Sequence, residues 1–184
     1  HAPGLNAATP ADAVTVYNTN SWPRTDLVIL PREMSLSGDR VEDASGGVVA
    51  SQRLSTGELA FLAAGVPPLA GKQFVFKPGE RPTATHLQVD GSTLTGADLT
   101  VQVDAQTGGI TSLRSRRLGV ELVDPKAATA VNDYFYLLGN DLEKLQRNGP
   151  VNISVKESGP LVASLMIESD APGCNKLRRE IRLV

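Results

Sequence analysis

Short apolar segments with alternating polar residues recur about every ten residues along the chain, separated by turns rich in Gly, Pro and Asn. The clearest case is the stretch 101–113, in which Val101 and Val103 lie on one face of a strand. The Thr-Gly-Gly sequence at 107–109 supplies a turn that tolerates positive φ, and Ile110 begins a second strand. Many short strands joined by such turns predict an all-β protein built as a β-sandwich.

Prolines and a glycine between residues 78 and 85 indicate a boundary between two domains. We therefore predict a flexible lead-in at 1–13, a small β-sandwich domain at 14–80, and a larger β-sandwich whose first part is 84–184. Residues 127–145 form the only zone compatible with a helix, and Asn and Gly residues interrupt it.

Strand alternation also predicts which side chains are buried. The strand at 27–31 is apolar throughout, so we expect it to be buried on both faces or at a junction between sheets. We interpret Lys176, Arg178, Arg179 and Arg182 as a solvated strand edge, where charge prevents stray pairing. The predicted core consists of Val16, Val28, Leu30, Phe61, Phe74, Phe76, Val101, Val103, Ile110, Leu113, Ile153, Val155, Leu165, Ile167 and Ile181.

The overall composition excludes several functional classes. Hydrophobic residues make up 41% of the 184-residue chain and charged residues 21%, which is typical of globular proteins and not of disordered ones. A formal net charge of −2 argues against a nucleic-acid partner, because phosphate binding needs a basic surface. No apolar run approaches the ~18 residues of a membrane span. A single cysteine leaves the compartment open, with a periplasmic or secreted location slightly favoured over a cytoplasmic one.

Both ends of the sequence suggest that it was cut from a longer protein. It begins with His1 instead of Met and contains no signal peptide. It ends inside the alternating pattern of residues 180–184, without a turn or a polar tail. We therefore expect the chain to be a fragment of a larger enzyme.

The residues that could bind a metal are few and scattered. A copper site on a β scaffold would need two His, one Cys and a weakly bound Met. The chain offers His1, His86, Cys174, Met34 and Met166, with no close spacing between Cys174 and either His. We predict a surface His86, a buried or idle Cys174 and no metal site.

Catalytic constellations are also missing. A glycosidase needs two carboxylates placed across a sugar, but Asp and Glu are common and most of those here fall in turns, where Asp caps its own backbone. Asp104 in particular is interpreted as a turn former. No Gly-x-Ser-x-Gly nucleophile elbow occurs, and Cys174 is expected in a loop between two strands. We predict no catalytic residue. The carboxylates considered are Asp104, Asp124, Asp133, Asp141, Glu143, Glu157 and Glu168.

A carbohydrate-binding surface would need exposed aromatic rings, and only 4% of the residues are aromatic. A strand containing Phe135 would place Tyr134 and Tyr136 on one face, where we expect packing against protein. Exposed, coplanar rings near Tyr134 or Trp22 would instead favour a carbohydrate-binding module. The binding residues stay open at this point.

Five segments in order resemble the C-terminal β region of glycoside hydrolase family 38, the α-mannosidases. The stretch 138–148 departs from the animal members of that family and suggests a bacterial branch. The five segments mark positions in the fold and include no catalytic residues of the family. The segments are VYN and WPRT (16–18 and 22–25), VPPLAGK (66–72), VD with TGGI and SL (103–113), ESGPL (157–161) and REIRL (179–183).

The resemblance implies a function for the parent protein and not for these residues. In that family an α/β barrel carries zinc and an Asp nucleophile, and β-sandwich domains follow, one of them similar to galactose mutarotase. No barrel or zinc motif has a counterpart here, so no catalytic residue is carried over. The implied role is a non-catalytic β region of an α-mannosidase-like retaining glycoside hydrolase. Its implied partner is the missing N-terminal catalytic domain, which would hold the zinc. Whether this region also binds a carbohydrate stays open. The alternative is a stand-alone carbohydrate-binding or structural β-sandwich module.

Overall fold

Strands dominate the structure, a computed structural model that describes residues 12–80 and 87–184. In these ranges no α-helix forms, and two three-residue 3-10 helices occur at Arg32–Met34 and Leu142–Lys144. The predicted all-β class is confirmed. His1, His86 and most of the predicted lead-in lie outside the described residues. The chain divides into two compact units, His1–Thr85 and His86–Val184.

Two antiparallel sheets build the first unit. One sheet has the order β1-β7-β3-β4, and the other has the order β2-β6-β5. The strands are β1 (Ala13–Asn18), β2 (Arg24–Leu30), β3 (Arg40–Asp43), β4 (Val48–Val49), β5 (Ser51–Arg53), β6 (Leu59–Val66) and β7 (Ala70–Lys77).

The two sheets of this unit share one apolar core. Phe61 on β6 lies 5.0 Å from Phe74 and 6.1 Å from Phe76, centroid to centroid, and all three rings are buried. Tilted and edge-to-face contacts of this kind add to the burial of the rings themselves. Phe74 and Phe76 lie on the same face of β7, as the alternation predicted.

The second unit contains a five-stranded sheet β12-β11-β10-β9-β8, a three-stranded sheet β15-β16-β17 and a small pair β13-β14. The strands are β8 (Gln88–Asp90), β9 (Thr93–Thr95), β10 (Leu99–Val103), β11 (Ile110–Ser115), β12 (Val120–Glu121), β13 (Phe135–Tyr136), β14 (Gln146–Arg147), β15 (Val151–Ser158), β16 (Ala163–Ala171) and β17 (Cys174–Leu183).

A second core fills the space between the two larger sheets of this unit. Val101 and Val103 on β10 are buried together with Leu165, Ile167 and Ile181 from β16 and β17. The hairpin expected at 101–113 forms, with Val101 opposite Leu113 and a bulge next to Val103. Residues 127–145 form turns, β13 and a 3-10 turn instead of a helix.

Most predicted core residues are buried or pack against one of the two cores, but two burial predictions are wrong. Val155 is 53% exposed, because β15 pairs only with β16 and a bulge follows Val155 in that pairing. Ile29 is 39% exposed, because β2 is an outer strand of its sheet and turns alternate side chains away from the core.

Arg179 is the third correction. We expected a solvated side chain, yet only 9% of Arg179 is exposed. Its Nη1 donates to Asn132 O at 2.9 Å and its Nη2 to Thr107 O at 2.6 Å. Alternation along β17 explains the difference, since Arg179 shares the inward face with Ile181 while Arg178 and Arg182 point outward.

Candidate functional site

A cleft of about 250 Å³ opens in the first unit between β1 and the strands β2 and β6. β1 and β2 are outer strands of their sheets, so the cleft lies on an open side of this sandwich. Its floor is apolar and includes Val16, Val28 and Val66. Val66 is buried, and Val16 and Val28 pack against the core beneath.

Tyr17 lies at the rim of the cleft and is 65% exposed, but its ring is on the outer face of the sheet, because it alternates along β1 with core-packed Val16. It lies opposite Gly71 in the β1–β7 pairing. A Cβ at position 71 would approach Tyr17 Cε1 to 3.0 Å, so the ring occupies space that only Gly leaves free. Tyr17 is therefore supported from the sheet side while much of its surface faces solvent.

Asn18, at the end of β1, determines the shape of the loop beside the cleft. Its Nδ2 donates to Trp22 O at 2.7 Å and to Val66 O at 3.1 Å, and its Oδ1 accepts from Asn20 N at 2.9 Å. The side chain is buried, which makes these bonds costly to lose. Asn18 fixes the position of Asn20, which also lines the cleft.

An ion pair on β2 forms the polar side of the cleft. Arg24 Nη2 donates to Asp26 Oδ2 at 2.7 Å, and Asp26 Oδ1 accepts from Leu27 N at 2.9 Å. Both charged side chains are about half exposed or more and line the cleft. Their charges compensate each other, so the cleft presents donors and acceptors without net charge.

The predicted role of Asp104 as a turn former is supported by its contacts. Asp104 Oδ1 accepts from Thr107 N at 2.7 Å, from Thr107 Oγ1 at 3.0 Å and from Gln106 N at 3.0 Å. These donors, the Thr107 N–H first, hold the pKa of Asp104 below its usual range, against the opposing effect of desolvation. The carboxylate thus stays ionised and organises the hairpin turn.

Other carboxylates from the sequence-based list also have structural contacts. Asp133 accepts from Ala130 N at 2.9 Å and forms an ion pair with Arg147 at 3.1 Å. Asp124 accepts from Lys126 N, and Asp141 caps a 3-10 turn by accepting from Glu143 N. Glu168 forms ion pairs with Lys176 and Arg178, Glu157 is buried on β15, and Glu143 is exposed.

Cys174 is exposed and is the first residue of β17. The prediction that it lies in the loop between two strands is therefore wrong by one residue. Tyr134 Oη donates to Pro172 O at 2.5 Å, and Tyr136 packs against Gly173. Burial raises the pKa of Tyr134, and the neighbouring Cys174 adds to this effect. These two tyrosines pack on the turn between β16 and β17, in line with the protein packing expected for them.

The described residues contain no group of three or more His, Cys, Asp or Glu side chains that could hold a metal ion. Met34 is exposed in the first unit, whereas Met166 and Cys174 lie in the second. His86 lies outside the described ranges. A search of the described helices finds none long and apolar enough to cross a membrane.

Solved structures with the same fold exist. An α-mannosidase from Enterococcus faecalis aligns with a TM-score of 0.54 and 14% sequence identity, over 86% of this chain and 23% of its own. A protein of glycosyl hydrolase family 38 from the same organism aligns with a TM-score of 0.52 and 13% identity, over 86% of this chain and 24% of its own. The chain has the fold of one part of an α-mannosidase.

The resemblance to glycoside hydrolase family 38 is thus confirmed at the level of the fold. No protein-family model and no curated protein matches the sequence. The chain spans about a quarter of the length of the α-mannosidase structures that it matches. The residues of the cleft in the first unit were not singled out as a set from the sequence, because they come from three strands of two sheets. The pairing of Tyr17 with Gly71 could have drawn attention to this end of β1, but only if the pairing of β1 with β7 had been known.

Proposed function

We propose that this chain is a non-catalytic β region of an α-mannosidase-like retaining glycoside hydrolase. The observation that carries the proposal is the fold match, which covers most of this chain but only about a quarter of the matching α-mannosidase structures. In this proposal the remaining part of the parent protein supplies the catalytic domain and its zinc. This chain supports that domain.

The contacts of the carboxylates support a non-catalytic role. Retaining hydrolysis needs a nucleophile and an acid/base in one pocket. Asp104, Asp124 and Asp141 are engaged in turns, and Asp133 and Glu168 in ion pairs. These contacts explain the carboxylates without a sugar substrate.

The test compares two proteins, the 184-residue chain and the longer protein that encloses it in its reading frame. Both are assayed with 4-nitrophenyl α-mannoside, with and without added zinc, and analysed for bound metal. We expect the longer protein to hydrolyse the substrate and to bind zinc, and the 184-residue chain to do neither. Turnover by the chain that disappears when one of its acids is mutated would refute the proposal. A reading frame without a catalytic domain would also refute it.

A stand-alone carbohydrate-binding module is the second candidate. The exposed rings of Tyr17 and Trp22 favour it, because a sugar stacks on exposed aromatic rings. A reading frame that contains no further domain, together with sugar binding by the chain, would favour this candidate over the first.

A further inference from the structure

We propose that the tip of the β13–β14 hairpin, residues 137–145, docks on the part of the parent protein that lies outside this chain. This inference rests on the proposed function, since the partner is the domain that this chain is proposed to support, and it names the surface used. Three observations carry it. The base of the hairpin is held by polar and packing contacts, the leucines of the tip are exposed, and one charge of the tip is uncompensated.

The chain that leads into the hairpin is tied to its surroundings. Ile110 N donates to Val131 O at 2.8 Å, and Val131 N donates to Ile110 O at 3.1 Å. The Asp133 side chain is only 5% exposed, and it accepts from Ala130 N at 2.9 Å and from Arg147 Nη1 at 3.1 Å. The first strand of the hairpin is thereby joined to the β10–β11 hairpin and to its own partner strand.

Two tyrosines hold the hairpin on the turn between β16 and β17. Tyr134 Oη donates to Pro172 O at 2.5 Å. The ring of Tyr136 lies so close to Gly173 that it leaves no room for a Cβ at that position. Because the base is fixed in this way, the tip loses little conformational freedom when a partner covers it, and a preorganised surface binds at a lower entropic cost.

The tip is ordered, and its exposed surface is largely apolar. Its 3-10 helix, Leu142–Lys144, is closed by a bond from Leu145 N to Leu142 O at 3.2 Å. Leu138 is 71% exposed, Leu142 75% and Leu145 43%. Single exposed leucines are normal on a protein surface, whereas a group of them in one turn is typical of a surface that another protein covers.

The charges of the tip indicate the chemistry of the partner. Lys144 Nζ pairs with Asp141 Oδ2 at 3.1 Å, so these two charges compensate each other. Glu143 is exposed and has no ion pair within the part of the chain that the structure describes. The tip therefore presents three leucines and one uncompensated negative charge. A complementary surface is an apolar groove with a Lys or Arg side chain beside it.

The rest of the parent protein fits this role better than the other possible occupants. About three quarters of each matching α-mannosidase structure lies outside the aligned part, so the proposed parent carries a large further surface on the same polypeptide. A second copy of this chain is disfavoured by charge, because a two-fold dimer of tips would bring the two Glu143 carboxylates together. A small ligand is disfavoured as well, since ligand sites are concave and bury most of the ligand.

The experiment measures hydrogen–deuterium exchange by mass spectrometry in the 184-residue chain and in the longer protein that encloses it. We expect the amides of residues 137–145 to exchange at least about 10-fold more slowly in the longer protein, because the docked tip must open before they exchange. Peptides from β16, the central strand of its sheet, serve as the internal reference and should exchange equally in the two proteins.

Variants of the tip and of matched leucines decide the assignment. In the longer protein, Leu142→Asp should return the exchange of the tip to within about 3-fold of its rate in the 184-residue chain. Glu143→Lys should reduce the protection in part, and more at low than at high ionic strength. The controls are Leu118→Asp and Leu36→Asp, at leucines that are 59% and 73% exposed elsewhere, and they should leave the exchange of the tip unchanged.

Several results would overturn the inference. Equal exchange of the tip in the two proteins would do so, as would protection that survives Leu142→Asp. Self-association of the 184-residue chain that Leu142→Asp abolishes, measured by sedimentation velocity, would identify a second copy as the partner instead. Thermal unfolding of the 184-residue chain should be the same with and without Leu142→Asp, which separates loss of docking from loss of fold.

The outcome is distinguishable from that of the proposed function. An active longer protein with an unprotected tip would refute the docking alone. A protected tip in a longer protein without α-mannosidase activity would refute the function alone. A reading frame without a further domain would refute both.

Discussion

At the scale of single residues, Arg179 has the least expected environment in the molecule. Its guanidinium is buried among backbone carbonyls of Thr107 and Asn132, and its Nε has no hydrogen-bond partner. Desolvation lowers its pKa, with Asp133 acting in the opposite direction. The side chain joins β17 to the turn after β10 and to the loop that contains Asn132. Arg179 therefore acts as a clamp between segments distant in sequence.

We predict that Arg179→Ala lowers the free energy of unfolding by about 3 kcal/mol, because two buried carbonyls lose a charged donor. The neighbouring Arg178→Ala is the control. Arg178 pairs with Glu168 at the exposed surface, so its loss should cost less than about 1 kcal/mol. Urea unfolding of both variants measures the difference, and equal effects would contradict the assigned role.

At the scale of elements, the β10–β11 hairpin depends on the glycines of its turn. Gly108 has a φ of +72°, and a Cβ there would approach Arg179 Nη2 to 2.5 Å and Ile167 Cγ2 to 2.6 Å. Gly119 has a similar φ of +68°, yet a Cβ there would meet nothing within 4 Å. The two glycines have similar positive φ angles, but only Gly108 has side chains packed closely around it.

We predict that Gly108→Ala destabilises the chain by about 3 kcal/mol, the sum of left-handed backbone strain and a steric clash in the core. Gly119→Ala should show the strain alone, about 1 kcal/mol. Denaturant unfolding of both variants provides the measurement. If Gly119→Ala were the more damaging change, the packing of the turn against Arg179 and Ile167 would be wrong.

At the scale of the whole molecule, acid sensitivity follows from the carboxyl groups. Each carboxyl of the described residues whose pKa departs from its usual value departs downward. For Glu180, desolvation opposes the change, but hydrogen bonds from Lys156 and Arg182 lower the pKa from 4.5 to about 2. A carboxyl with a lowered pKa in the folded state stabilises that state above its unfolded pKa. The stabilisation disappears as the pH falls through the folded pKa.

We therefore predict that the free energy of unfolding falls steeply between pH 4.5 and pH 2. Glu180→Gln removes one of the titrating groups and should make this fall shallower, while it lowers stability at pH 6. Urea unfolding at pH 6, 4 and 2.5 tests both statements. A stability that stays constant or rises on acidification would contradict them.

The sequence by itself determined the fold class, the hairpin at 101–113 and most of the core. Strand period and turn chemistry are local, so Val101, Val103, Phe74 and Phe76 reveal their faces without any knowledge of neighbours. The same locality explains why Asp104 was recognised as a turn former. The order of apolar and polar residues along the chain is enough to predict which strand face is buried and where the turns fall.

Only the tertiary structure decided what depends on distant segments. The exposure of Val155 and Ile29 follows from the outer positions of β15 and β2, and sheet order is not written in alternation. The burial of Arg179 needs carbonyls 47 and 72 residues away in sequence. The cleft lined by Val16, Arg24 and Asp26 exists because two sheets leave their outer strands side by side. Contacts between sheets determine the burial of these residues and the shape of the cleft. The residue pattern of a single strand does not predict which sheet the strand will pack against.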